Sequence, residues 1–273
     1  MPIEIGKWNH LEASLGQRGM GKSTHQCVRA LELQIDSGGA YVIGHSIGGR
    51  LPSRLPAEYG GHELPITYHE TIDALSRGLR RRPERWHILA PSLRLDKQAA
   101  HETADDLIKF VIQFSRSIRE RSWNKAHPFG LPGARLGWRD NVSHEGVQAP
   151  PVVLIIDEGI AIEAAGPSRK TDNRWFLQFL YSLRHYHIAL LYAIQDASAR
   201  SWRILEQATK LFVFSVRHQW ALQSIQAAGA TPEQIDEIRA LRKYQFVELD
   251  LTEPIGDGNL IPVEDGTPEG TPA

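Results

Sequence analysis

Apolar residues in this chain alternate between two spacings. Short, nearly continuous runs predict strands at His10–Leu15, Ala40–Gly44, Pro65–His69, Trp86–Ala90 and His187–Ile194. Between them, apolar positions recur every three or four residues. Val28, Leu31 and Ile35 predict a helix over Lys22–Asp36, stopped by Gly38-Gly39. A second helix is expected near Glu70–Arg81. Leu107, Ile108, Val111, Phe114 and Ile118 predict an amphipathic helix from Ala104 to Ser122, and Phe176, Phe179, Leu180 and Leu183 another over Arg174–Leu183. Strands alternating with helices imply an α/β fold around a mostly parallel sheet with helices on both faces. One strand fits poorly: Leu11-Glu12-Ala13-Ser14-Leu15 alternates apolar and polar residues, whereas a central parallel strand is usually apolar throughout.

Two stretches carry no such pattern. The segment 126–150 is long and rich in Gly and Pro, which marks a functional or mobile insertion loop, and it holds Arg135, Trp138 and Arg139. The tail 253–273 is acidic, repeats Gly-Thr-Pro, and is too poor in apolar residues to pack, so disorder is expected there. The length allows one large α/β core or at most two small ones, and a single domain over 1–252 is expected.

Composition narrows the class. With 31 Lys+Arg against 32 Asp+Glu the net charge is −1, which argues against a diffusely basic surface. Local clusters remain at Arg77, Arg80, Arg81, Arg82 and Arg85, and at Arg116, Arg119 and Arg121; each reads as a solvated face or as a DNA contact. The single cysteine, Cys27, falls inside a helix and reads as a small core residue, and it points to a reducing compartment. No run approaches the roughly 20 apolar residues of a membrane span. A cytoplasmic location, without an integral membrane segment, is expected.

The chemistry begins at Gly16-Gln17-Arg18-Gly19-Met20-Gly21-Lys22-Ser23, which matches G-x-x-x-x-G-K-[ST] between a strand and a helix. In such a loop the glycines let successive N–H groups turn inward on a phosphate at a helix N-terminus. Lys22 then reaches the β- and γ-phosphates and Ser23 offers its hydroxyl to Mg²⁺, with Thr24 completing the binding segment. The alternative is a Gly-rich turn before an ordinary helix. Downstream, Pro151-Val152-Val153-Leu154-Ile155-Ile156-Asp157-Glu158-Gly159 reads as a buried strand ending in two carboxylates, at the end where α/β sheets bind ligands. Asp157 is expected to hold the Mg²⁺ hydration shell and Glu158 to deprotonate the attacking water; acids in this position also cap helices. The strand at His187–Ile194 ends on Gln195, an amide able to bond both γ-phosphate and water.

These segments resemble the FtsK/HerA family of DNA-translocating ATPases. The spacing from Arg184 to Gln195 agrees with that family's pattern, Ala208–Val216 resembles its next strand, and Ala227-Ala228-Gly229-Ala230 its Gly-Ala turn before a short helix. The family's usual Arg-Pro after the glutamine is replaced here by Asp196-Ala197. The resemblance implies a RecA-like, additional-strand P-loop ATPase using ATP and Mg²⁺ in a homo-oligomeric ring, a hexamer or a pentamer. It implies Arg184 as an arginine finger acting on a neighbouring subunit's γ-phosphate, with Arg217 a second candidate; a helix-terminal arginine complementing the dipole is the alternative for Arg184. The chain is most similar to the viral branch that packages double-stranded DNA, with a capsid or portal-vertex protein as partner. Arg169 and Lys170 could grip DNA phosphates in the pore or lie on an ordinary surface loop. A secretion or virus-assembly ATPase moving protein, or a nucleotide-dependent switch with little turnover, are the competing expectations.

Overall fold

The computed structural model describes residues 11–37, 39–47, 49, 51–91, 97–123, 143–144, 147–148, 152–157, 179–183, 186, 188–195, 205 and 207–251. Its strands are β1 (Leu11–Leu15), β2 (Tyr41–His45), β3 (Ile66–His69), β4 (Trp86–Leu89), β5 (Ser143–His144), β6 (Val147–Gln148), β7 (Val152–Ile156), β8 (Ile188–Ile194), β9 (Lys210–Val213) and β10 (Val247–Asp250). The labelled helices are α1 (Lys22–Asp36), α2 (Ile72–Arg81), α3 (Lys97–Trp123), α4 (Gln219–Ala227) and α5 (Pro232–Ala240). Residues 179–183 are also helical.

Eight strands form one sheet in the order β10-β9-β1-β8-β7-β2-β4-β3. Every pairing is parallel except β10 against β9 at one edge. The functionally decisive feature is that β8 lies between β1 and β7, with Leu15 opposite Ile194 and Ile156 opposite Tyr192. An extra strand thus separates the strand entering the Gly-rich loop from the one ending in the carboxylates. This is the additional-strand arrangement that the resemblance implied.

The sheet is buried on both faces. On one, Leu11, Ala13, Leu15, Ile43, Leu154 and Tyr192 share a single apolar core with Leu107, Val111 and Phe114 of α3. On the other, Val42, Ile88, Val153 and Ile155 meet Cys27, Ala30 and Leu33 of α1. Both faces of β7 and β8 are therefore apolar, as expected for central parallel strands.

The alternation in β1 has a direct cause. Glu12 and Ser14 point to the α1 face, and α1 supplies a polar partner for each. Arg29 clamps the Glu12 carboxylate, its Nε donating at 2.8 Å and its Nη2 at 2.7 Å, and also pairs with Glu32. Ser14 Oγ lies 3.5 Å from His25 Nδ1. Buried polar groups are tolerated where they find such partners.

Local signals set several boundaries. Thr71 caps α2, its side chain accepting from Ala74 N–H, and Thr231 with Gln234 forms a reciprocal capping box at α5, with Pro232 in the first turn. Gly229, at φ 105°, ends α4 in the expected Gly-Ala turn. Within 126–150 the described residues form a two-stranded antiparallel ribbon of β5 and β6. The rest of that segment and the tail 253–273 lie outside the described residues.

Candidate functional site

The Gly-rich loop leaves β1 at the C-terminal edge of the sheet. Gly16 N–H donates to Ile194 O and Gln17 N–H to Ser215 O, each at 3.2 Å, so the loop is tied to both neighbouring strands' ends. Gly16, Gly19 and Gly21 all have positive φ, and Gly21, at 107°, stands as the left-handed N-cap of α1. The N-terminus of a fifteen-residue helix follows at once, where dipole and unsatisfied N–H groups favour an anion.

Lys22 is buried, and its ammonium is held inside the loop, donating to Gly16 O at 2.6 Å and Gln17 O at 2.8 Å. The next side chain reaches across the sheet: Ser23 Oγ donates to Asp157 Oδ1 at 2.8 Å. Asp157 is 5% exposed, and its other oxygen accepts from Ser46 Oγ at 3.1 Å. Its backbone N–H bonds His45 O, while Gln26 Nε2 donates to Ile156 O, so α1 and β2 together fix the end of β7. Hydroxyl and carboxylate oxygens at this spacing are the hard donors that suit Mg²⁺. Gln195 follows Ile194 at the end of β8, beside Gly16.

Of the expected site residues, the structure therefore brings together the loop from Gly16 to Thr24, Asp157 and the strand end carrying Gln195. Glu158, Arg184, Arg169 and Lys170 lie outside the described residues. Arg217 is exposed two residues beyond Ser215. Arg85 is a brace, donating to Thr67 Oγ1 and Ile66 O, whereas Arg77, Arg81 and Arg82 are exposed. Cys27 is fully buried, and burial pushes its thiol well above the ordinary range, so it belongs to the core as expected.

Three contributors carried no signal in the sequence. Ser46 is one serine among several, and only the β2–β7 register places it at Asp157. His25 sits in an aromatic cage, its ring centroid 4.3 Å from that of Phe212 and 4.6 Å from that of Phe246; burial first, then the Arg29 charge, holds its pKa down at about 3. Tyr244 lies against the loop itself, its N–H donating to Met20 O at 2.9 Å.

The strand order and the Gly-rich loop together define the additional-strand P-loop NTPase fold. No known family model and no curated protein matches the chain. Among solved structures it is similar to the genome packaging NTPase B204 of Sulfolobus turreted icosahedral virus 2. In complex with ATP-γ-S the TM-score is 0.52 at 14% identity, and in complex with sulfate 0.56 at 13%, each match covering 89% of this chain and 92% of that one. At such identities the likeness establishes the fold. The cytoplasmic domain of the Thermomonospora curvata type VII secretion ATPase EccC is similar at a TM-score of 0.49 and 15% identity, over 90% of this chain and 24% of that one. Among the described residues no helix is long and apolar enough to cross a membrane.

Proposed function

We propose that the chain is a Mg·ATP-hydrolysing, ring-forming motor that moves double-stranded DNA, in the manner of a viral genome-packaging ATPase. The observation that carries this reading is the Ser23–Asp157 hydrogen bond across the sheet, beside a P-loop lysine and with the strand ending in Gln195 inserted between β1 and β7. The fold shared with B204, a genome-packaging NTPase held with ATP-γ-S, supports the polymer class.

Each residue's task follows from its chemistry. Lys22 exchanges its bonds to Gly16 and Gln17 carbonyls for phosphate oxygens, so its charge stays inside the loop. Ser23 and Asp157 are the residues that hold Mg²⁺, with Ser46 orienting the Asp157 carboxylate. The ion supplies charge neutralisation at the β- and γ-phosphates. Glu158, the next residue in the chain, takes the proton of the attacking water, and Gln195 orients that water and reads γ-phosphate loss. Arg184 enters from a neighbouring subunit, where a planar, permanently charged guanidinium suits charge spread over phosphate oxygens. Arg169 and Lys170 grip DNA phosphates without reading sequence. The ring docks on a capsid or portal-vertex protein.

The test is ATP turnover with and without long linear duplex DNA, alongside Glu158→Gln and mixtures of wild type with Arg184→Ala. Stimulation by duplex, loss of turnover with retained ATP binding in Glu158→Gln, and disproportionate poisoning of the mixture are expected. Turnover indifferent to DNA overturns the polymer assignment in favour of a protein-moving ATPase. Stoichiometric ATP binding with negligible turnover, unchanged by Glu158→Gln, selects a nucleotide-dependent switch.

A further inference from the structure

Helix α2 ends in a dense run of positive charge. Between Ile72 and Arg85 five arginines stand against two acids, Asp73 and Glu84. Arg85 is braced into the sheet, while Arg77, Arg80, Arg81 and Arg82 are exposed around the last turns of the helix. Arg77 and Arg81 are four residues apart, a helical spacing at which like charges repel. Among the described residues neither they nor Arg82 enters an ion pair. The frame beneath them is firm. His87 Nε2 donates to Arg82 O at 2.9 Å, and His87 Nδ1 meets His69 Nε2 at 2.9 Å, so the end of α2 is tied to β4 and through it to β3. A Cβ at Gly78 would stand 2.6 Å from His69 Cε1, so the helix backbone rests directly on this histidine pair.

We propose that the acidic segment following β10 docks on these arginines within the same chain. Residues 252–273 carry Glu253, Asp257, Glu264, Asp265 and Glu269 with no lysine or arginine, so the two charge patterns are complementary. A planar guanidinium pairs with a carboxylate through two parallel hydrogen bonds, which suits a segment too poor in apolar residues to bind by packing. Topology brings the two to one edge of the sheet. Leu251 N–H donates to Thr209 O, and Asp250 stands opposite Lys210 at the start of β9, so the chain leaves β10 where the parallel strands begin. Helix α2 ends at Arg81 and β4 opens at Trp86, which puts the arginines at that same edge, opposite the Gly-rich loop. From β10 to β4 is six strand spacings, roughly 29 Å at about 4.8 Å each. Glu264 stands 13 residues beyond Leu251, a reach of up to roughly 43 Å. The acidic pair Glu264-Asp265 therefore spans the distance with chain to spare.

The experiment uses the full chain carrying Arg81→Lys, which keeps the charge and adds an amine. A carbodiimide joins amines to carboxylates in contact; it is applied at about 50 mM salt, where exposed charges are weakly screened, and the links are mapped by mass spectrometry. An equimolar mixture of isotopically light and heavy chains separates links within a chain from links between chains. Links within one chain from position 81 to carboxylates of the segment 252–273 should exceed those from Lys243 at least fivefold, although Lys243, exposed four residues before β10, stands beside that strand rather than six strands away. Adding Arg77→Gln and Arg82→Gln, or raising the salt to about 500 mM, should cut the links at position 81 at least fivefold. Links no more frequent at position 81 than at Lys243 overturn the proposal, as do links confined to light–heavy pairs or links indifferent to both charge removal and salt. Absence of links at position 81, together with tenfold weaker duplex DNA binding by Arg77→Gln/Arg81→Gln, overturns it in favour of nucleic acid as the occupant.

Discussion

Ser23 and Asp157 are 134 residues apart in the chain, yet their side chains meet at 2.8 Å. The meeting depends on β8 being inserted between β1 and β7 and on Gln26, one turn after the loop, tying α1 to the end of β7. In the proposed function this hydroxyl and carboxylate are the oxygen pair that would hold the divalent cation.

Ser46 touches that pair through Asp157 Oδ2, to which its hydroxyl donates. Removing such an outer partner typically costs 10–100-fold in metal affinity or activity. Ser46→Ala should therefore raise the Mg²⁺ concentration needed for half-maximal ATP turnover by roughly that factor, with the fold intact by circular dichroism. An unchanged Mg²⁺ titration contradicts the role given to Asp157.

Glu12 is buried at 3% exposure in the strand that delivers the P-loop, and Arg29 holds both its oxygens. Removing one partner of a buried pair leaves an uncompensated charge, at a cost of about 3–5 kcal/mol. Arg29→Met should lose stability on that order by urea denaturation, while the double variant Glu12→Leu/Arg29→Met should lose less than the single one. Additive losses would mean that the pair is not coupled.

Burial holds His25 at about 3 and His45 at about 4, against 6.5 for the free side chain. The unfolded chain therefore binds protons first as pH falls below about 6.5. The stabilisation is fully present above that pH and is lost as pH drops toward the folded values, with a slope approaching about 1.4 kcal/mol per pH unit for each histidine. The urea midpoint should fall measurably from pH 7 to pH 5.5, above the range where most carboxylates titrate. Among the described residues neither ring nitrogen of His45 has a hydrogen-bond partner. His45→Leu should consequently hold or raise stability at pH 7 and flatten the pH dependence; a lower midpoint at pH 7 with an unchanged slope would contradict this.

Legibility from sequence followed the range of the forces involved. Helix α1 spans Lys22–Asp36 as its periodicity and the following glycines indicated, because local spacing and a stop signal decide it. The buried runs at β7 and β8 were equally readable, since central parallel strands are apolar on both faces. Strand β1 was ambiguous because its partners, Arg29 and His25, lie on the following helix and become visible only when α1 packs on the sheet. The antiparallel edge strand β10 and helix α4 carried too few periodic positions to stand out. Ser46 and Tyr244 reach the site through sheet register and a left-handed turn, neither of which has a sequence signature.

The central claim is that this site drives movement along duplex DNA, and displacement of a triplex-forming oligonucleotide from a linear duplex measures it most directly. Displacement should require hydrolysable ATP and Mg²⁺, be delayed as the triplex is placed farther from the entry end, and be abolished by Lys22→Ala and Glu158→Gln. ATP hydrolysis by the same preparation with the triplex left in place would contradict it.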